Sequence, residues 1–68
     1  DPSLKLPTGY FMVCVDIPGG AYSAASSGMG VIGNYDYVLM GGDPEPVTLE
    51  DGQVIQLPYG GGATFTAR

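Results

Sequence analysis

The sequence predicts an all-β fold, a small antiparallel β-sandwich or barrel of about six to seven short strands. Three observations lead there. No window places apolar residues at i, i+3, i+4 and i+7, and Gly or Pro interrupts every stretch long enough for an amphipathic helix. The apolar segments are strand-length, with side chains alternating between two faces. Turn residues separate them at close intervals, drawn from 12 glycines and 6 prolines in 68 residues.

Residues 1–8 carry Pro2 and Pro7 and read as a linker or an N-terminal arm that caps a sheet edge. Within them Leu6-Pro7-Thr8-Gly9 lacks one residue of the LPxTG sorting motif and reads as a turn into the first strand. Residues 9–68 form a single domain. Its strands are expected at Tyr10 to Val15, Ala21 to Ala25, Met29 to Ile32, Tyr35 to Met40, Val47 to Glu50, Gln53 to Leu57 and Ala63 to Ala67. The segment Asp16-Ile17-Pro18-Gly19-Gly20-Ala21-Tyr22 reads as a strand end, a tight turn on Pro-Gly and a return strand.

Parity sharpens the segment around Asp51-Gly52. In the hairpin expected from Val47 to Leu57, a two-residue loop sets Val47 opposite Gln56 and mixes the apolar sets. A three-residue loop, Glu50-Asp51-Gly52, sets Val47 opposite Ile55 and keeps Val47, Leu49, Ile55 and Leu57 together. The three-residue loop is the expected form.

Two strands have no polar face to give to water. Tyr10, Met12 and Cys14 alternate with Phe11, Val13 and Val15. Tyr35, Tyr37 and Leu39 alternate with Asp36, Val38 and Met40. A strand apolar on both sides is covered on both sides, so self-association or docking against a sibling domain is expected. Cys14, mid-strand among apolar neighbours, is expected to be an unreactive core thiol.

Composition narrows the function classes. A chain this short buries only about 60% of the surface its unfolded form exposes. One cysteine excludes an intrachain disulfide, and the lack of histidine removes the commonest zinc ligand. The opening Asp1, in place of methionine, points to a domain excised from a longer chain. Seven acidic residues against Lys5 and Arg68 give a net charge of -5. Nucleic acid and anionic membrane surfaces, which need clustered cations, are therefore poor partners. No apolar run approaches the roughly 20 residues of a membrane-spanning helix. Few charges with many Gly, Tyr, Ser and Thr suit an extracellular or cell-surface location.

Gly9-Tyr10 followed by Val13-Cys14-Val15-Asp16-Ile17-Pro18-Gly19-Gly20-Ala21-Tyr22 resembles the signature Tyr-x-Val-Gly-x-Asp-Ile-Pro-Ala-Gly-x-Tyr. That signature belongs to small β-rich domains in secreted proteins and lipoproteins of Gram-positive bacteria. Val47 to Leu57 resembles the same family's Val-Thr-Leu-x-Asp-Gly-Gln-x-Leu-x-Leu hairpin, so the resemblance runs from about Gly9 to Leu57. Cys14 stands where the signature has Gly, and Gly19 where it has Ala. The resemblance implies an accessory module outside the cell or on its surface, and it transfers no catalytic residues.

Residue by residue, the polar positions read mainly as structure. Asp16 is expected to accept hydrogen bonds from backbone amides of its own turn, and Tyr22 to pack in the core with its hydroxyl at the rim. Asp36, Asp43, Glu45, Glu50 and Asp51 have no calcium-loop spacing and read as solvated turn residues, so no metal, cofactor or catalytic residue is assigned. Gly60-Gly61-Gly62 lacks the Lys-Ser/Thr and helix of a phosphate loop and reads as a flexible connection. Tyr10, Tyr35, Tyr37 and Tyr59 are the expected recognition surface, because tyrosine stacks on sugar rings and anchors protein interfaces. The expected function is a non-catalytic binding module for a protein or a glycan. The alternative is a structural, self-associating spacer that forms a homo-oligomer.

Overall fold

The computed structural model describes residues 3–68. They form eight strands: β1 (Ser3–Leu6), β2 (Gly9–Met12), β3 (Gly20–Ser26), β4 (Gly30–Ile32), β5 (Tyr37–Leu39), β6 (Glu45–Leu49), β7 (Val54–Leu57) and β8 (Ala63–Ala67). These build two four-stranded antiparallel sheets, ordered β1-β8-β3-β6 and β2-β7-β4-β5, and the described residues contain no helix. The count exceeds the expected six to seven because Ser3–Leu6, part of the expected arm, is an edge strand paired with β8. Asp1 and Pro2 of that arm lie outside the described residues.

Alternation supplies one shared core. The row Phe11, Ile55, Ile32 and Tyr37 runs across the second sheet, with Ile55 and Ile32 fully buried. Phe65, Ala24, Tyr22 and Val47 face it from the first sheet. Tyr22 and Phe65 meet edge to face, with centroids 6.1 Å apart and an interplanar angle of 87°, the favoured geometry for an aromatic pair. The Tyr22 hydroxyl donates to the Pro18 carbonyl at 2.8 Å, so the phenol is buried with its polar end satisfied, as expected.

The expected hairpins do not form. Among the described residues only β4 and β5, joined through Gly33–Asp36, are consecutive strands of one sheet. Val47, Leu49, Ile55 and Leu57 are all buried in one cluster, but β6 pairs with β3 while β7 pairs with β2 and β4. The intervening residues form a β-turn that passes from one sheet to the other, closed by Gln53 N–H donating to Glu50 C=O at 3.1 Å. Gly52 holds φ at 90° in its third position, where a positive φ is required. Likewise β2 and β3 are not a hairpin, since Pro18-Gly19 carries the chain between sheets.

The expected strand from Tyr10 to Val15 ends at Met12. Asp16 ends it, because its carboxylate accepts the Met12 N–H at 2.9 Å while the Val15 and Asp16 amides donate to the Met12 carbonyl. Val13 turns into the core and bridges Ile17; Cys14 and Val15 are thrown outward. Cys14 is therefore an exposed residue, against the core thiol expected, and it holds φ at 83°. That conformation costs an L-residue roughly 1–2 kcal/mol. Cys14→Gly is expected to stabilise the domain by about 1 kcal/mol once glycine's greater chain entropy is set against the relieved strain. In a thermal melt this would read as a rise of about 4–8 °C, and an unchanged or lower midpoint would show the turn to be unstrained.

The expected strand from Tyr35 to Met40 also shortens, to Tyr37–Leu39. Tyr35 lies in the preceding turn with φ at 63°, and Asp36 N–H closes that turn on Ile32 C=O at 3.0 Å. The outer faces of β2 and β5 are not covered within the chain: Tyr10, Met12 and Val38 are exposed. Gly60-Gly61-Gly62 is more than a flexible connection. All three residues take positive φ, and the backbone of Leu6 and Pro7 lies directly against Gly62.

Candidate functional site

The outer faces of the two sheets differ in chemistry. On the first sheet, Ser3, Thr66, Ser23 and Pro46 form one row and Lys5, Thr64 and Ala25 another, a shallow surface of small side chains. On the second sheet the outward row is Tyr10, Gln56, Val31 and Val38, with Met12 beside Val54. Tyr10 stands 69% exposed, so its ring is free.

Two concavities adjoin that second face, and a third lies at the seam between β5 and β6. A groove of about 220 Å³ lies among Tyr10, Phe11, Met12, Asp16 and Val54. A larger groove, about 510 Å³, runs between the Gly33–Asp36 turn and β7 and is lined by Asn34, Asp36, Asp51, Gln53, Val54 and Gln56, with glycines 33 and 52. A third, about 310 Å³, lies among Asp36, Tyr37, Thr48, Glu50 and Gln53. The first and second share Val54 in their linings, and the second and third are divided by the bonded Asp36–Gln53 pair, so the three lie in series as a segmented trough.

Gln53 organises the trough. Its side-chain oxygen accepts the Glu50 N–H at 2.9 Å, and its amide nitrogen donates to the Asp36 carboxylate at 3.1 Å. The two turns that wall the trough are thereby tied together. Tyr37 contributes its hydroxyl, which accepts the Thr48 N–H at 3.1 Å and joins β5 of one sheet to β6 of the other. Carboxylate and amide oxygens, amide donors and a free phenol ring at one end can hydrogen-bond hydroxyl groups and stack against a ring face. Among the described residues no three of Asp, Glu and Cys converge closely enough to hold a metal ion.

The four tyrosines expected to form one recognition surface are dispersed. Tyr10 lies on the outer face of β2. Tyr35, 75% exposed, sits in the turn that forms one wall of the trough. Tyr37 faces inward and is half-buried, so Tyr35 and Tyr37 do not share a strand face. Tyr59, 67% exposed, is in the β7–β8 connection. Of the acids read as solvated turn residues, Asp36, Glu50 and Asp51 line the trough, whereas Asp43 and Glu45 do not. Sequence reasoning missed Asn34, Gln53 and Gln56. The signal for Gln56 was present, since a polar residue between Ile55 and Leu57 must face outward. Comparison with known proteins finds no family model, no curated protein and no solved structure that matches this chain.

Proposed function

We propose that this chain is a small β-sandwich that serves as a non-catalytic binding module of a secreted or cell-surface bacterial protein, and that it takes a glycan along the trough. The observation that carries this reading is the row of adjoining concavities that runs from the exposed Tyr10 ring, past the Asp36–Gln53 pair, to Tyr37. Sugars present ring faces and hydroxyl edges together, and an aromatic platform beside carboxylates and amides meets both. The location rests on the low-charge, Tyr- and Thr-containing composition and on the resemblance to surface domains. Position 14 lends that resemblance weight: it holds a left-handed conformation suited to glycine, and the resembled signature has Gly there.

The test is retention on purified Gram-positive cell-wall glycan in a pull-down with the soluble chain. Tyr10→Ala is expected to weaken retention about tenfold, which corresponds to roughly 1.4 kcal/mol, while Tyr59→Ala leaves it unchanged. Equal retention of wild type and Tyr10→Ala would remove the trough from consideration.

A second reading, the self-associating spacer, is favoured by the apolar residues Met12, Val38 and Met40 exposed on β2, on β5 and just beyond β5. It predicts a dimer in light scattering that Met12→Glu together with Val38→Glu converts to monomer.

A further inference from the structure

A different surface, on the first sheet, is built to accept another strand. Backbone directions follow from two hydrogen bonds at the two ends of the β3–β8 ladder. Arg68 N–H donates to Ala21 C=O and Ser27 N–H to Gly62 C=O, so residues 62, 64, 66 and 68 turn their backbone toward β3. Ala63 and Phe65 then turn toward β1 and bond with Leu6 and Leu4. Ser3 and Lys5 consequently turn both N–H and C=O outward, and no hydrogen bond among the described residues engages these groups.

The other three edges offer less. On β6 the outward positions are Pro46, which has no N–H, and Thr48, whose N–H is held by the Tyr37 hydroxyl. On β2 the outward groups of Met12 are taken by the Asp16 turn, leaving Tyr10 alone. On β5, which pairs through Tyr37 and Leu39, only Val38 points outward. Pro, side-chain caps and short length are the usual means of blunting sheet edges, and among the described residues nothing caps the two successive outward positions of β1.

Beside β1 lies an apolar groove of about 290 Å³ lined by Ser3, Leu4, Pro18, Tyr22, Phe65 and Ala67. Leu4 is 38% exposed at its rim and Phe65 lies fully buried beneath. A residue added opposite Leu4 projects to the same side as Leu4, toward this groove. Its two neighbours project to the outer side, beside Ser3 and Lys5. Lys5 is one of only two cations in a chain of net charge -5, so this edge attracts carboxylates, and the shared negative charge disfavours a second copy.

We propose that β1 is a docking edge for an extended segment of a partner protein in which an apolar side chain is flanked by acidic residues. The segment adds a fifth strand to the first sheet: its backbone bonds Ser3 and Lys5, its apolar side chain enters the groove, and a carboxylate pairs with Lys5 across the strands. This site is on the sheet opposite the trough and stands independently of the glycan reading.

The test is titration of the isotope-labelled chain with the blocked peptide acetyl-Thr-Glu-Phe-Glu-Thr-amide, followed by amide chemical shifts. The largest shifts are expected at Ser3 and Lys5, whose N–H groups point outward. Lys5→Pro removes one outward donor without touching the β8 ladder and is expected to weaken binding at least tenfold while keeping a dispersed spectrum. Should Lys5→Pro fail to fold, the same peptide N-methylated at both Glu residues tests the ladder on the wild-type chain, with the same expected loss. A peptide with Lys in place of Glu is expected to bind about 2–5-fold more weakly, the size of a cross-strand ion pair. No shifts at millimolar peptide, shifts centred on Tyr10 and Gln56, or undiminished binding of the N-methylated peptide would each overturn the proposal. So would shifts at Ser3 and Lys5 that depend on protein concentration alone, which would mark a second copy as the occupant.

Discussion

Phe65→Ala is expected to leave the chain largely unfolded at room temperature. Phe65 is the largest fully buried side chain, and its ring meets Tyr22 edge to face within the core cluster that both sheets share. Truncating such a residue costs about 3–5 kcal/mol through lost transfer energy and the cavity left behind. A 68-residue domain has a total stability of roughly 3–10 kcal/mol, so the loss is comparable with the whole. The readout is collapse of amide dispersion or of the cooperative thermal transition. Phe65→Leu fills most of the volume and is expected to retain a cooperative, lower midpoint. A cooperative melt of Phe65→Ala within a few degrees of wild type would mean that the two sheets do not depend on this ring.

Gly62→Ala is expected to cost about as much by an opposite physical route. Gly62 holds φ at 96°, and a Cβ placed there would collide with the Leu6 carbonyl and come within 2.8 Å of Pro7 Cα. Backbone atoms, unlike a flexible side-chain tip, cannot step aside. The unfavourable φ contributes roughly 1–2 kcal/mol and the forced backbone displacement a further ~1–3 kcal/mol. The displaced element is β1, so its ladder with β8 is expected to open first, with faster amide exchange at Leu4 and Leu6 than in Ala24 or Ile55. Gly42→Ala is the control: its φ is also positive, at 89°, but nothing lies within 4 Å of its Cβ, so only the conformational part of the cost applies. Equal destabilisation by the two variants would show that the clash at Leu6 is relieved without cost.

The trough and the β1 edge make separate demands on the chain. The trough depends on Gln53 tying two turns together across the boundary between the sheets, so a variant that loosens the Glu50–Gln53 turn also reshapes the proposed glycan site. The β1 edge depends on Gly62 admitting the chain at Leu6 and Pro7. Gly62→Ala is therefore expected to weaken peptide docking without altering glycan retention, provided the domain stays folded.

Local physics made much of this molecule readable from its residues. Glycine, proline and aspartate marked where the chain turns, because they accept dihedrals or make short-range hydrogen bonds that other residues do not. Period-two alternation marked which side of a strand goes inside, so Val47, Leu49, Ile55 and Leu57 were grouped on one apolar face. Ala63 to Ala67 was bounded correctly for that reason, and Tyr22 was placed in the core with its hydroxyl satisfied. Tertiary structure alone decided which sheet each strand joins. Val47 to Leu57 has the alternation and turn of a hairpin, yet β6 and β7 separate because burying their apolar faces against each other across the core satisfies the same pattern as pairing them. Local turns, closed by Asp16 on Met12 and by Asp36 on Ile32, took Cys14 and Tyr35 out of their strands. The non-local assignment of strands to sheets brought Asp36 to Gln53 and left Ser3 and Lys5 with outward-facing backbone.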